Sequence, residues 1–223
     1  MVGILAVAIG AAALRLPRLA LRPMHGDEAN QAVKTATLLE TGRYVYNPHD
    51  HHGPSLYYLA LPVLWAAGAE TAPEITDGLL RTVPAVFGVL VVLLLLLVRD
   101  GLGRPAAVCA GVLAAISPAL VFYSRYYVQE TLLVCFTFAT IATAWRYVAT
   151  RKVGWAVAAG ACLGLMHATK ETWVLAGAAM VAALVLVLLW ERYARRRVLQ
   201  VRSYLRPGAV VGALAAALVV TVV

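Results

Sequence analysis

Asp27 and Glu28 stand side by side in HGDEANQA (25–32), Glu130 closes SRYYVQE (124–130), and Lys170 and Glu171 are neighbours in HATKETW (167–173). Between the first two groups, HHGPSLYYL (51–59) adds His51 and His52, with His49 and Asp50 just before it. A carboxylate in such company can take a proton from an acceptor or hold a cation, and a Lys, Arg or His can stabilise a leaving anion. Each group also has a plainer reading. Asp is a favoured helix N-cap, so capping accounts for Asp27 as well as catalysis does. A cap does not require Glu28 beside it, and two adjacent acids can divide labour between proton transfer and holding a positive partner. SRYYVQE reads equally as an interfacial belt of Tyr123, Tyr126 and Tyr127 with a surface ion pair between Arg125 and Glu130. Lys170 and Glu171 can be solvated turn charges. Acids and cations from several separate loops are also what an assembled active site shows.

These residues sit in a chain that is 62% hydrophobic and 13% charged, with a mean hydropathy of +0.79, far outside the range of a soluble domain. The composition predicts an integral membrane protein, all-α, built as a polytopic transmembrane helix bundle. A span needs about 20 apolar residues, and such stretches fall near 79–98, 105–122, 131–149, 155–169 and 173–190. A stretch at 2–21 is interrupted by Arg15, Pro17 and Arg18, and another, 208–223, is still apolar at its last residue. The chain therefore reads as the N-terminal part of a longer transmembrane domain, with an uncleaved first span, and is expected to be inactive by itself. Cys109, Cys135 and Cys162 lie one to a span and have no metal-ligand or pairing pattern.

Basic residues mark the cytoplasmic loops. Arg99, Arg104, Arg146, Arg151, Lys152 and the run ERYARRRVLQVRSYLRP (191–207) fall in one set of loops, while nine of the eleven acids fall in the other. The net charge of +8 is thus a topology signal, with lipid headgroups as an alternative partner for 191–207 and no indication of nucleic acid. This puts the N-terminus in the cytoplasm of a plasma membrane protein and every cluster named above on the outer face. The first outer loop, 22–78, is long enough to be functional. Ala29, Ala32, Val33, Ala36 and Leu39 recur at helical spacing up to Gly42, which predicts a surface helix starting at Asp27. LYYLALPVLWAAGA (56–69), aromatic at both ends with an internal Pro62, predicts a second interfacial helix.

HGDEANQA, HHGPSLYYL, SRYYVQE and TKE, in this order and with these spans between them, resemble the polyprenyl-phosphate-sugar-dependent GT-C glycosyltransferases. The likeness is nearest to the flippase activity-associated proteins of N-glycosylation, and protein O-mannosyltransferases and aminoarabinose transferases are related to these. The resemblance covers essentially the whole chain. It implies a GT-C type bundle and transfer of a sugar from a polyprenyl-phosphate donor to a lipid, glycan or protein acceptor. It also implies Asp27 as catalytic base, with Glu28 and Glu130 as further catalytic acids. Arg125, His52, Lys170, Glu171 and Tyr57 become substrate-binding residues, the first three at the leaving phosphate. In the aminoarabinose branch an acid and a Lys stand where this chain has His51 and His52. That change leaves two roles open for the histidines: His51 as ligand of a divalent cation (Mg, Mn or Zn), or a phosphate contact.

Two other classes compete: a lipid-linked sugar flippase or other transporter, and a non-catalytic subunit of a glycosylation complex. Transporters place ionisable groups near mid-membrane. The centres of the five clear spans lack Asp, Glu, Lys and Arg, with Arg81, Arg146 and His167 only near their ends.

Overall fold

The computed structural model describes residues 2–47 and 52–197. His49, Asp50, His51, the stretch 208–223 and residues 198–207 of the basic segment lie outside the described residues. Described residues form nine helices and no strand: α1 (Val2–Arg15), α2 (Gly26–Thr41), α3 (Ser55–Ala66), α4 (Asp77–Leu102), α5 (Arg104–Ile116), α6 (Pro118–Tyr123), α7 (Glu130–Thr150), α8 (Val153–His167) and α9 (Trp173–Arg197). Within them, 77–102, 130–150 and 173–193 are long and apolar enough to cross a membrane, while α1, α3, α5 and α8 are shorter apolar helices.

The central element is α4, which packs against α1, α3, α5 and α7. Thr76 starts it by accepting the Leu79 N–H at 3.4 Å, Asp77 lies in its first turn and Arg99 in its last, as the helix dipole favours. Gly103, at φ 85°, ends it. Its buried Leu80, Val83, Val91, Val92, Leu95 and Val98 meet Ile4 and Ala8 of α1 and Leu132, Cys135, Phe136 and Phe138 of α7 in the core clusters. In the spanning window of α9 none of the surface is buried, an arrangement that suits lipid and not water.

The stretch expected to span 105–122 is two helices. Pro118 has no N–H to give the Ala114 carbonyl, and it disfavours helical geometry at Ser117. Ser117 accordingly leaves the helix and caps α6. The guanidinium of buried Arg15, at the end of α1, donates instead to Ala114 O and Ala115 O, both at 2.9 Å. Arg125 does the same for α1, donating to the carbonyls of Leu14, Arg15, Pro17 and Arg18 at 2.9–3.3 Å.

The surface helix ends at Gly42 (φ 65°), as expected, but starts differently: its N-cap is His25. The His25 Nδ1 accepts the Asp27 N–H at 3.3 Å, and Glu28 Oε2 accepts the His25 N–H at 3.2 Å. The second acid, which no cap seemed to need, thus belongs to the cap through its side chain, whereas Asp27 takes part only through its backbone N–H. The buried stripe of α2 is Glu28, Gln31, Thr35 and Leu38, more polar than the apolar pattern suggested, and Val33 is 66% exposed.

Residues 52–55 are fastened to the α8–α9 connection. Gly53 N–H donates to Thr169 O at 3.2 Å and Ser55 N–H to Ala168 O at 3.1 Å; the Ser55 and Thr169 hydroxyls meet at 2.8 Å, and His52 pairs with Lys170 as an antiparallel bridge. A Cβ at Gly53 would overlap the Ala168 carbonyl. Gly53→Ala should therefore lower the melting temperature of the purified protein, by a loss of about 1–3 kcal/mol typical of overpacking. Gly160→Ala, which meets nothing within 4 Å, should not lower it.

Candidate active site

A fully buried ion pair joins three elements at one end of α4. Arg81 Nε and Nη2 donate to Glu28 Oε1 and Oε2, each at 2.7 Å, and the Tyr127 N–H donates to Oε1 at 2.8 Å. Glu28 is 0% and Arg81 1% exposed. The remaining guanidinium donors go to the carbonyls of Leu19, Arg22 and Pro23 at 2.7–3.3 Å. Burial opposes ionisation of Glu28, but the hydrogen bonds from Arg81, Tyr127 and His25 and the Arg81 charge outweigh it and hold the carboxyl below its usual range.

Beside this pair opens a polar cavity of about 240 Å3. The α2 helix contributes Asp27, Asn30 and Gln31, the segment entering α7 contributes Val128, Gln129 and Glu130, and the two fastened loops contribute His52 and Lys170. Lys170 Nζ donates to Glu130 Oε1 at 2.7 Å. Among the described residues, Glu130 Oε2 and His52 Nδ1 are buried without a hydrogen-bond partner, and His52 Nδ1 lies 3.6 Å from Glu171 Oε2. The Asp27 side chain is 74% exposed, its carboxylate 3.5 Å from His25 Nδ1.

The structure thus brings Asp27, His52, Glu130 and Lys170 into one cavity, with Glu171 at its edge behind His52. It does not bring the other expected residues there. Glu28 is adjacent to Asp27 in sequence, but its carboxylate points into the protein and is committed to Arg81, Tyr127 and His25, so it cannot touch a substrate. Arg125 neither pairs with Glu130 nor lines this cavity; its guanidinium is taken by carbonyls at and just beyond the end of α1. Tyr57 is fully buried beneath the cavity floor, where its hydroxyl donates to Gln31 Oε1 at 2.5 Å. His51 lies outside the described residues, and among those described no group of three or more His, Cys, Asp or Glu is placed to hold a metal ion.

Sequence reasoning missed Arg81, Asn30, Gln31 and Gln129. Arg81 had a signal, since an ionisable group inside an apolar helix demands a partner. The polar amides had none beyond their position next to Asp27 and Glu130. A second cavity, of about 260 Å3, is lined by Arg18, Arg22, Arg81, Arg125 and Phe122 among others. Arg22 sits over the Phe122 and Tyr126 rings at 5.1 and 4.7 Å.

Opposite ends of α4 carry opposite chemistry. At its other end Asp100 accepts from Arg146 at 2.7 Å and from Trp145 at 3.0 Å. Arg81 and Asp100 are nineteen residues apart, about 28 Å along the helix, close to the thickness of a bilayer core. The fold and the cavity define a helical integral membrane protein with a polar site at one end of its spans. Residues 74–223 match the dolichyl-phosphate-mannose-protein mannosyltransferase family, and the chain belongs to that family. It is therefore a membrane glycosyltransferase of the polyprenyl-phosphate-sugar-dependent class. Glu130 and Lys170 fall within the matched residues, whereas Asp27 and His52 precede them. No curated protein matches the chain.

The lowered Glu28 pKa fixes a sign. Its stabilising contribution is complete above the ordinary Glu pKa of about 4.3 and is lost as pH falls through the lower folded-state value. At neutral pH, Glu28→Gln should cost about 3–5 kcal/mol, as for other broken buried ion pairs. The difference in melting temperature between wild type and variant should shrink on acidification below pH ~4.3.

Proposed function

We propose that the protein transfers a sugar from a polyprenyl-phosphate donor to a lipid, glycan or protein acceptor at the outer face of the membrane, with Asp27 as general base. The observation that carries this reading is that the exposed Asp27 carboxylate shares one cavity with Lys170, His52 and Glu130. The acceptor hydroxyl oxygen bonds to the anomeric carbon of the sugar as the bond from that carbon to the phosphate oxygen breaks. The hydroxyl proton goes to Asp27, and the electron pair leaves with the polyprenyl phosphate. Lys170 and the His52 ring stabilise the leaving phosphate; Glu130 holds the Lys170 ammonium in place, and Glu171 backs His52. Glu28 and Arg81 position Asp27 without touching the substrate. No step is assigned to a metal ion.

The basic residues at the Asp100 end of the bundle support the outer-face reading, by the positive-inside rule. Within the family, the motif order argues for the flippase activity-associated branch. Transport is the weaker alternative, because the ionisable residues of α4, α7 and α9 all lie near helix ends and not at mid-membrane.

Asp27→Asn should reduce sugar transfer by the full-length protein by about 10²–10⁴-fold, the usual contribution of a general base, while its melting temperature stays that of wild type. Wild-type turnover in a stably inserted variant would remove Asp27 from the mechanism. For the membrane face, single cysteines at positions 27 and 151, each in a chain with its native cysteines replaced by Ala, should label from opposite sides. A membrane-impermeant thiol reagent applied to intact cells should modify the first and spare the second. Labelling of position 151 alone would invert the topology.

A further inference from the structure

Gln31 and Gln129 are 3% and 1% exposed, yet both line the polar cavity. They are locked together: Gln31 Oε1 accepts from the Tyr57 hydroxyl at 2.5 Å and from Gln129 Nε2 at 3.0 Å, and Gln129 Nε2 lies 3.4 Å from the Tyr57 oxygen. Tyr57 is itself held from below by stacking on Tyr44, with ring centroids 5.6 Å apart. Each amide therefore spends one end on its neighbour. Among the described residues, the other ends, Gln31 Nε2 and Gln129 Oε1, have no protein hydrogen bond, and neither is among the sealed, unpaired atoms. They open to the cavity. Reversing both amides exchanges the two roles but still presents one NH2 and one carbonyl.

A fixed donor beside a fixed acceptor, both uncharged, suits neutral hydroxyls better than it suits a phosphate, for which Lys170 is at hand. The cavity holds about eight waters' share of liquid at ~30 Å3 each, which fits one sugar ring. We propose that Gln31 and Gln129 read the hydroxyls of the transferred sugar and so set which sugar the enzyme accepts. This rests on the reading of the cavity as the sugar-transfer site and adds to it the residues that determine specificity.

The test is equilibrium binding to the full-length protein in lipid nanodiscs of three probes: polyprenyl phosphate, polyprenyl-phosphate mannose and polyprenyl-phosphate glucose. Gln129→Met removes one amide. Gln31→Met is combined with Tyr57→Phe, so that no tyrosine hydroxyl is left buried and unpaired. Wild type should bind at least one sugar lipid more tightly than bare polyprenyl phosphate. Each variant should lose about fivefold of that advantage, the worth of a neutral hydrogen bond, and shift the mannose-to-glucose ratio, with affinity for bare polyprenyl phosphate unchanged. Equal weakening of all three probes, or no weakening, would overturn the inference and leave the transfer site standing. If wild type itself does not distinguish sugar lipids from the bare lipid, or binds none of them, the sugar-site reading falls and the inference with it.

Discussion

The buried Glu28–Arg81 pair is the constraint on which the site depends. Two charges removed from water are tolerated only when all their hydrogen-bonding capacity is used, and here it is: the carboxylate takes four donors from three residues, while the guanidinium also answers three carbonyls between α1 and α2. The pair thereby fixes the first turn of α2, the chain before α2 and the backbone at Tyr127 relative to α4. Asp27 comes from the first of these and Glu130 follows the last by three residues. Their meeting at one cavity is a consequence of what Glu28 and Arg81 demand.

The same physical problem recurs at other helix ends on this side of the bundle. A helix that stops near the hydrocarbon boundary leaves carbonyls that water cannot fully satisfy. Arg15 answers for α5 and Arg125 for α1, as Arg81 answers for the link to α2. From the sequence Arg125 looks like an anion binder, but in all three arginines most of the donors are spent on backbone. Of the cations expected at a leaving phosphate, Lys170 and His52 are the two that line the polar cavity, and the Lys170 stem is brought there by the bridge between 52–55 and 168–170. Glycine at 53 is what lets those two backbones come that close.

Beneath the charged rim, the cavity floor is neutral: the amides of Gln31 and Gln129 form it, the Tyr57 hydroxyl is bonded to Gln31 from behind, and in the same buried layer the Thr35 and Tyr127 hydroxyls lie 2.7 Å apart. Burial raises the Tyr127 hydroxyl pKa, so it stays a protonated donor-acceptor across the physiological range. Such a floor supplies direction without charge, which is the complement of the Asp27, Glu130 and Lys170 rim. One membrane end of α4 thus carries the polar cavity while the other, about 28 Å away, carries the basic loops.

Sequence alone determined the all-helical membrane character and the Gly42 stop of α2; three of its expected spans coincide with long apolar helices, and it named Asp27, His52, Glu130 and Lys170 among nine candidate residues without singling them out. These were legible because hydrophobic runs, glycine caps and isolated charges are local signals, each meaningful without knowing its neighbours. Tertiary structure decided which charges were free to act. Glu28 is an acid in the same motif as Asp27, and Arg125 a cation in the motif that ends at Glu130, yet one is sealed against Arg81 and the other is spent on carbonyls at and just beyond the end of α1. Gln31, Gln129 and Tyr57 acquire a shared role only because α2, α3 and the start of α7 converge. Partners 26 to 98 residues apart leave no trace in spacing or periodicity, because a hydrogen bond across such a separation is set by packing and not by the local chain.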